Sequence, residues 1–441
     1  MRPDESEPTT STRELAGRSQ PWRYKVNASP TELPPIDYQG FARELKALRS
    51  EVASQLGPED LAHLKKMVMW GKACAFLGYL TAWIVPNPIS AWLISQATVT
   101  RWAMITHHVS HRGYDKVPGV PKHYQSKHYA VGWRRYIDWL DWMHPDAWAH
   151  EHNVLHHYHT GEVDDPDLVE HNVWLTRVLP FPRVIKWVLL FFLMATWKPL
   201  YYAPNTMWGL QQHRRFRKQS GEERVKSPLP TLASAWRIMF PGERLLLPLI
   251  PRAWEYYFRC LLPYGLIRFG LLPALFLPLG EAAWMAVLVN SVLAEVITNI
   301  YSFIIIVPNH AGDDVYRFDR PITDQAEFYV RQVVGSVNFH GGTDVKDFLQ
   351  GYLNYQIEHH LWPDLPMLRY RQVAPRVKEL CAKYGVPYIE QSVFKRFGKL
   401  WDIMMGNTSM MLTETVPASA RRGKTERKVR AEEPGMSASA S

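Results

Sequence analysis

Eighteen of the 441 residues are histidine, and twelve of these fall between His107 and His171. In the first cluster, Thr106-His107-His108-Val109-Ser110-His111, His107 and His111 are four apart, so a helix puts both imidazoles on one face, within reach of one metal ion. The second cluster, His150-Glu151-His152-Asn153-Val154-Leu155-His156-His157-Tyr158-His159, repeats that spacing through His152 and His156 and adds His157 on the adjacent face. His150 and His159 fit a supporting or exposed place as well as a ligand position. The third cluster is Gln356-Ile357-Glu358-His359-His360, and a lone His310 closes Pro308-Asn309-His310. A polar helix end explains one such pair, but so many adjacent imidazoles repel when protonated and gain little by burial unless a cation holds them. Seven or eight neutral imidazoles exceed the needs of one four-coordinate zinc, and H-E-x-x-H is absent. Nitrogen-rich, open coordination suits iron, with two ions the economical count. Cys74, Cys260 and Cys381 are far apart without a C-x-x-C pair, which excludes a disulfide scaffold and a cysteine-held zinc or iron–sulfur site.

The elements that must position these clusters are long apolar runs. Met67 to Val85 is broken only by Lys72 and stops at Pro86-Asn87-Pro88, and Ile89 to Thr106 carries only Arg101. Cys260 to Gly280 contains Arg268 alone, and Ala282 to Val307 contains Glu295 alone. Each is long enough to cross roughly 30 Å of hydrocarbon as a helix, whereas Val184 to Trp197 is short and reads as interfacial or buried. The expected fold is an all-α integral membrane protein with four transmembrane helices in two hairpins and a cytoplasmic helical cap holding the histidine clusters. Two spans separate the second cluster from the third, so all three return to one side. Lys65, Lys66, Arg112, Lys116, Lys122, Lys127, Arg134 and Arg135 flank the first hairpin while the two short connections lack Lys and Arg, which assigns that side to the cytoplasm. Residues 1–62 read as an N-terminal cytoplasmic segment with a helical pattern from Tyr38 to Ala53, residues 63–415 as the membrane domain, and residues 416–441 as a disordered tail. No secretory signal is present. The excess of 51 Lys+Arg over 42 Asp+Glu has no nucleic-acid motif beside it, so it suits an anionic membrane surface or an acidic partner.

The series H-x-x-x-H, H-x-x-x-H-H and Q-x-x-H-H, carried by His107/His111, His152/His156/His157 and Gln356/His359/His360, resembles the membrane fatty acid desaturase family. The likeness extends through His159-Thr160 and Asp164-Asp165-Pro166-Asp167 to Leu361-Trp362-Pro363 and Val373-Ala374-Pro375, covering roughly residues 65 to 400. It implies two non-haem irons that use O2 and two electrons to take hydrogen from an acyl methylene and then from its neighbour, leaving a double bond. The ligands it implies are His107, His111, His152, His156, His157, His310, His359 and His360, with Gln356 as a weak or water-bridged addition. Gln at position 356 is characteristic of the front-end subgroup, which inserts a double bond between an existing one and the carboxyl end. Relatives of that subgroup often carry a fused cytochrome b5 domain with a His-Pro-Gly-Gly motif; here the one His-Pro is His144-Pro145-Asp146 and the first 62 residues are too short for that domain. A separate ferredoxin or cytochrome b5 with its reductase is therefore the expected donor. The alternatives are lipid hydroxylation by the same superfamily chemistry and a non-catalytic membrane metal-binding protein; against transport, ionisable residues are scarce in the spans.

Asp138, Asp141, Glu151, Asp164, Asp165 and Glu358 are near enough in sequence to orient ligand imidazoles, though a solvated helix face explains each equally well. Trp139, Trp142 and Trp148 are candidates to border an acyl channel, although interfacial aromatics are ordinary. Replacing His152, His157 or His360 by Ala removes a ligand without touching a span. Each variant is expected to insert in membranes like the parent while losing all activity, and full turnover in any of them would remove that residue from the metal set.

Overall fold

Pro86-Asn87-Pro88 is where the first apolar run has to stop. In a computed structural model, which describes residues 33–219, 231–239 and 251–413, the helix Pro58–Ala82 ends just before it. Asn87 then accepts the backbone N–H of Ser90 at 2.8 Å and caps the returning helix. The two legs approach closely because Gly71 and Gly78 face Thr100 and Ile94; a Cβ at either glycine would lie 2.7 Å from the opposing side chain. The returning leg runs over 88–110 in three pieces: Pro88–Val99, a widened π-helical stretch Thr100–Thr106, and His107–Ser110.

A second hairpin joins Ala253–Leu279 to Glu281–His310 through Gly280, whose φ of 106° is open to glycine at little cost. Asn290, fully buried on its second leg, donates to Ala82 O at 2.8 Å and Val85 O at 3.1 Å and accepts from Asn87 N–H at 2.9 Å. The tip of the first hairpin is thus clasped to the second, and the histidine-bearing ends His107 and His310 lie away from it.

The described residues are predominantly helical, with strands limited to two short parallel pairs, Tyr316–Phe318 with Met411–Thr413 and Asn338–Phe339 with Glu390–Gln391. Three helices among them are long and apolar enough to cross a membrane: Arg183–Arg215, Ala253–Leu279 and Glu281–His310. Two differences from the expected spans arise from composition and local geometry. The legs of the first hairpin fall short on that measure, being diluted by Lys65, Lys66 and Lys72 on one and by Gln96, Thr100 and Arg101 on the other. The run Val184–Trp197, in contrast, does not stop there. Pro199 sits in a widened turn, Lys198–Tyr202, which accommodates its missing N–H, so one helix continues to Arg215.

The helical cap is built from Tyr38–Ser54, Gln325–Val334, Met367–Tyr384 and Val393–Met405. Tyr38–Ser54 packs on Met367–Tyr384 and Gln325–Val334. The boundary expected at 62/63 falls inside the helix Pro58–Ala82, and the tail 416–441 lies outside the described residues. Arg369 locks the cap to the first hairpin: its guanidinium donates to both Asp60 oxygens at 2.8 and 2.7 Å and to Gln55 O. Asp60 is wholly buried and also accepts Gly57 N–H at 2.9 Å. Arg369→Leu strands that carboxylate, at an expected cost of about 3–5 kcal/mol. Thermal unfolding of the detergent-purified protein checks this, with Arg376→Leu at the exposed pair with Glu51 expected to unfold like the parent.

Candidate metal centre

The eight histidines converge where the two hairpins meet the cap, and they divide into two groups. One nitrogen each from His107, His111, His152, His157 and His359 lie within 4.8 Å of one another, and so do those of His156, His310 and His360. The pair His107/His111 stays together, as its spacing predicts. His152 and His156, on the widened stretch His150–His156, fall on either side of that division and also come within the same distance of Asp167 as a third set, while the adjacent residues His359 and His360 go to different groups. Neighbours on a helix point about 100° apart, so each His-His doublet feeds both groups. His150 instead packs beside His213 at 4.3 Å between centroids, and His159 pairs with Glu162 at 2.9 Å.

The outer nitrogens decide what the inner ones present. His107 Nδ1 is 3.3 Å from Ala103 O, His156 Nδ1 2.9 Å from Asp165 Oδ1, His310 Nδ1 3.3 Å from Gly335 O and His360 Nδ1 2.8 Å from Gln332 Oε1. Each of these partners is an acceptor, so each Nδ1 carries the proton. His359 Nδ1 meets the Tyr370 hydroxyl at 3.3 Å, and that hydroxyl directs its own hydrogen to the Trp362 or Pro363 carbonyl. Five Nε2 atoms are thereby left unprotonated, each with its lone pair available. His107 Nε2 and His359 Nε2 are nevertheless 2.9 Å apart, with His152 Nε2 2.9 Å from the first and His157 Nε2 3.1 Å from the second.

The His107 and His359 lone pairs repel at that distance unless a cation lies between them. Metal–nitrogen bonds of about 2.1 Å place neighbouring ligand atoms about 3 Å apart, so the residues fit a metal. His111 Nε2 and His360 Nε2, buried with no partner among the described residues, point to the same conclusion. Burial and the surrounding imidazoles push His157, His359 and His360 well below the usual histidine value and keep them neutral. His156 moves the other way: burial alone would lower it, but the Asp165 carboxylate pulls it up. The Gln356 amide faces the three-histidine group, its nitrogen 3.0 Å from His310 Nε2.

Of the acidic candidates, Asp165 reaches a ligand and is itself fixed by Gly161 and Asp167 N–H at 2.8 and 2.9 Å. Asp138 binds Arg134, Asp141 the Lys198 ammonium, Glu151 the Tyr202 hydroxyl, and Glu358 both Asn338 and Tyr388. Sequence reasoning missed Gln332 and Tyr370. Gln332 is fully buried, takes the Thr160 hydroxyl at 3.2 Å and donates to His157 O at 3.3 Å, so it ties the second cluster to the third. No local motif marks either residue.

A cavity of about 320 Å³ opens beside the centre. His107, His152, His156, His310 and Gln356 border it on one side, and Trp102, Trp148, Trp197, Phe192, Phe303 and Ile306 give it an apolar wall. Trp148 also stacks on His152 at 4.7 Å. Trp139 is packed behind Trp148, and Trp142 donates to Glu295 at 2.6 Å; neither lines the cavity.

A buried, tethered cluster of histidines able to hold metal, set on an apolar cavity, suits oxidative chemistry on a hydrocarbon chain. The fatty acid desaturase family model matches residues 123–392, which hold the second and third clusters and His310. The chain belongs to the fatty acid desaturase family: it is a membrane oxidoreductase that desaturates fatty acyl chains. The NADPH-dependent stearoyl-CoA 9-desaturase of Mycobacterium tuberculosis is 25% identical over 384 residues, 84% of this chain and 79% of the relative. Acyl-lipid (8-3)-desaturase B of Dictyostelium discoideum is 26% identical over 254 residues, 56% and 50% of the two chains. A mouse fatty acid desaturase 2-like protein is 46% identical over 69 residues, 16% of this chain and 14% of its own.

Removing an outer-nitrogen partner frees the tautomer and ring angle of its histidine. Asp165→Ala and Gln332→Ala are each expected to weaken binding of added Co2+ by about 10–100-fold, read by its visible absorption during titration of metal-stripped protein.

Proposed function

We propose that the five-histidine and three-histidine groups each hold one iron and that His107, His111, His152, His156, His157, His310, His359 and His360 are the ligands, with Gln356 an additional weak or water-bridged one. The observation that carries this reading is the set of imidazole nitrogens, at ligand-to-ligand spacing, on the wall of an apolar cavity. When bound, the two irons supply O2 activation and the oxidising power that removes two hydrogens from adjacent acyl methylenes. The chain's own part is positional. Trp148, Trp197 and Phe303 confine the hydrocarbon and exclude water, while Ala103, Asp165, Gly335, Gln332 and Tyr370 hold the imidazole rings at fixed angles.

The protein spans the membrane four times, as the hairpins 58–110 and 253–310, with the histidines and the cap on the cytoplasmic face. The outward side of the first hairpin supports this, because Met69, Phe76, Leu80 and Ile84 are all more than half exposed although apolar. The helix Arg183–Arg215 lies along the interface and turns Val184, Val188 and Phe191 toward lipid. Residues 63–415 form the desaturase domain. Electrons come from a separate ferredoxin or cytochrome b5 through a reductase; the NADPH dependence in the mycobacterial relative's name fits such a chain of supply. Gln356 supports a front-end specificity, acting on an acyl chain that already carries a double bond.

The test is a fatty-acid profile by gas chromatography–mass spectrometry in a host expressing the protein, with saturated and unsaturated acids supplied. New double bonds on the carboxyl side of an existing one, lost in His360→Ala, are expected. Hydroxylated acids would replace this reading with hydroxylation, and double bonds on saturated acids alone would overturn the front-end specificity.

A further inference from the structure

The acyl cavity has an inner and an outer end, and the helix Arg183–Arg215 runs past both. Its side chains Leu189, Phe192, Leu193 and Trp197 recur at steps of three and four, so they form one stripe, and all four line the cavity. Exposure rises along that stripe. Trp197, which packs against Trp102 and Phe303 on the two histidine-bearing legs, is 8% exposed, whereas Phe192 is 58% and Leu189 38% exposed. Another side of the cavity, from the segment 173–178, repeats the gradient: Val173 and Thr176 are buried and Leu175 is half-buried, while the neighbouring Trp174 and Val178 are exposed.

The surface around this outer end is apolar as well. Ile185, Trp187 and Val188 are exposed on the helix side, continuous with the face that Val184 and Phe191 turn to lipid. Water covers such a rim at a cost, whereas lipid tails cover it without one. Charge supplies an independent observation. Among the described residues that line the cavity none is Lys or Arg, and Glu151 and Asp167 are acidic. A coenzyme A thioester brings a diphosphate and a further phosphate, which call for several cations at the mouth. The helix offers Lys186 and Arg183, one and two turns before Leu189 and outside the lining. They match the single phosphodiester of a glycerophospholipid whose tail has entered.

We propose that the cavity opens sideways into the bilayer between Phe192 and Leu175, and that the acyl chain enters as the tail of an intact membrane glycerophospholipid. This rests on the reading of the cavity as the acyl site. The tail passes Leu189 and Phe192 toward Trp197 without leaving an apolar medium, and the headgroup stays in the interface beside Lys186 and Arg183.

The experiment uses the full chain in dioleoylphosphatidylcholine nanodiscs. One probe is a phosphatidylcholine with a diazirine at the middle of one acyl chain, and its rival is the coenzyme A thioester of the same acid. After illumination, labelled peptides are mapped by mass spectrometry. The lipid probe is expected to label the peptides holding Trp197 and Phe303 about tenfold more than the thioester does. Phe192→Glu sets a charge on the lip and is expected to cut that labelling about tenfold. Leu189→Glu serves if the first variant does not fold, and Val184→Ser, outside the lining, is expected to label like the parent. Equal or stronger labelling by the thioester, or lipid labelling that survives both lip substitutions, would overturn the lateral route and leave the cavity as the acyl site. Labelling of these peptides by neither probe would show that the cavity takes no acyl chain and would sink the underlying reading together with the proposal.

Discussion

The fold answers to one electrostatic constraint: imidazole nitrogens from distant parts of the chain are held about 3 Å apart in a largely buried site. Neutral imidazoles do not attract one another in that arrangement, and protonated ones repel more strongly. Only a cation relieves the conflict, and it does so only if each ring offers the correct nitrogen at the correct angle. The protein meets that condition from the outside, by giving ring after ring an acceptor for its Nδ1 proton. Backbone carbonyls serve His107 and His310, Asp165 serves His156, Gln332 serves His360, and the Tyr370 hydroxyl serves His359. These partners come from four separate stretches, so the cap and the hairpins have to be registered to each other before the centre exists.

That registration explains where buried polar groups are tolerated. Asn290 clasps the tip of one hairpin to the leg of the other, and Arg369 with Asp60 fastens the cap to the first hairpin. Each places polar atoms away from water, where an unpaired group would be costly, so each also specifies a single alignment. The widened helical turns act in the same sense. One lies immediately before His107 and another carries His152 and His156, and both rotate the next turn of the chain relative to a regular helix, a frequent property of such turns at functional sites.

The cavity adds a second demand, because the centre must meet a substrate with almost no polar features. Tryptophan and phenylalanine confine such a chain but do not tell one methylene from the next. Discrimination along the chain therefore has to come from its single polar end or from the depth of the cavity. Glu151 on the cavity wall is polar in another way: burial, and after it the facing Asp167, pushes its carboxyl well up, and the Tyr202 hydroxyl donates to it at 2.6 Å.

Residue types and spacing were enough to single out the histidines and the hairpin turns at Pro86-Asn87-Pro88 and Gly280, because these are local properties: a four-residue step defines one helix face, and an apolar run must end where proline or glycine ends it; the chemistry came from the resemblance to a family. The split into five and three was not legible. His107 and His359 are 252 residues apart, and which group a ring joins depends on how helices cross and where their turns widen. The same holds for Gln332 and Tyr370, which belong to no motif and matter only for the atoms that face them. The full length of Arg183–Arg215 was hidden because the apolar run ends at Trp197, whereas the helix continues through a widened turn that holds Pro199. Sequence determined which side chains can bind metal; tertiary packing decided which lone pairs meet, because tautomer and ring angle are set by partners far away in the chain.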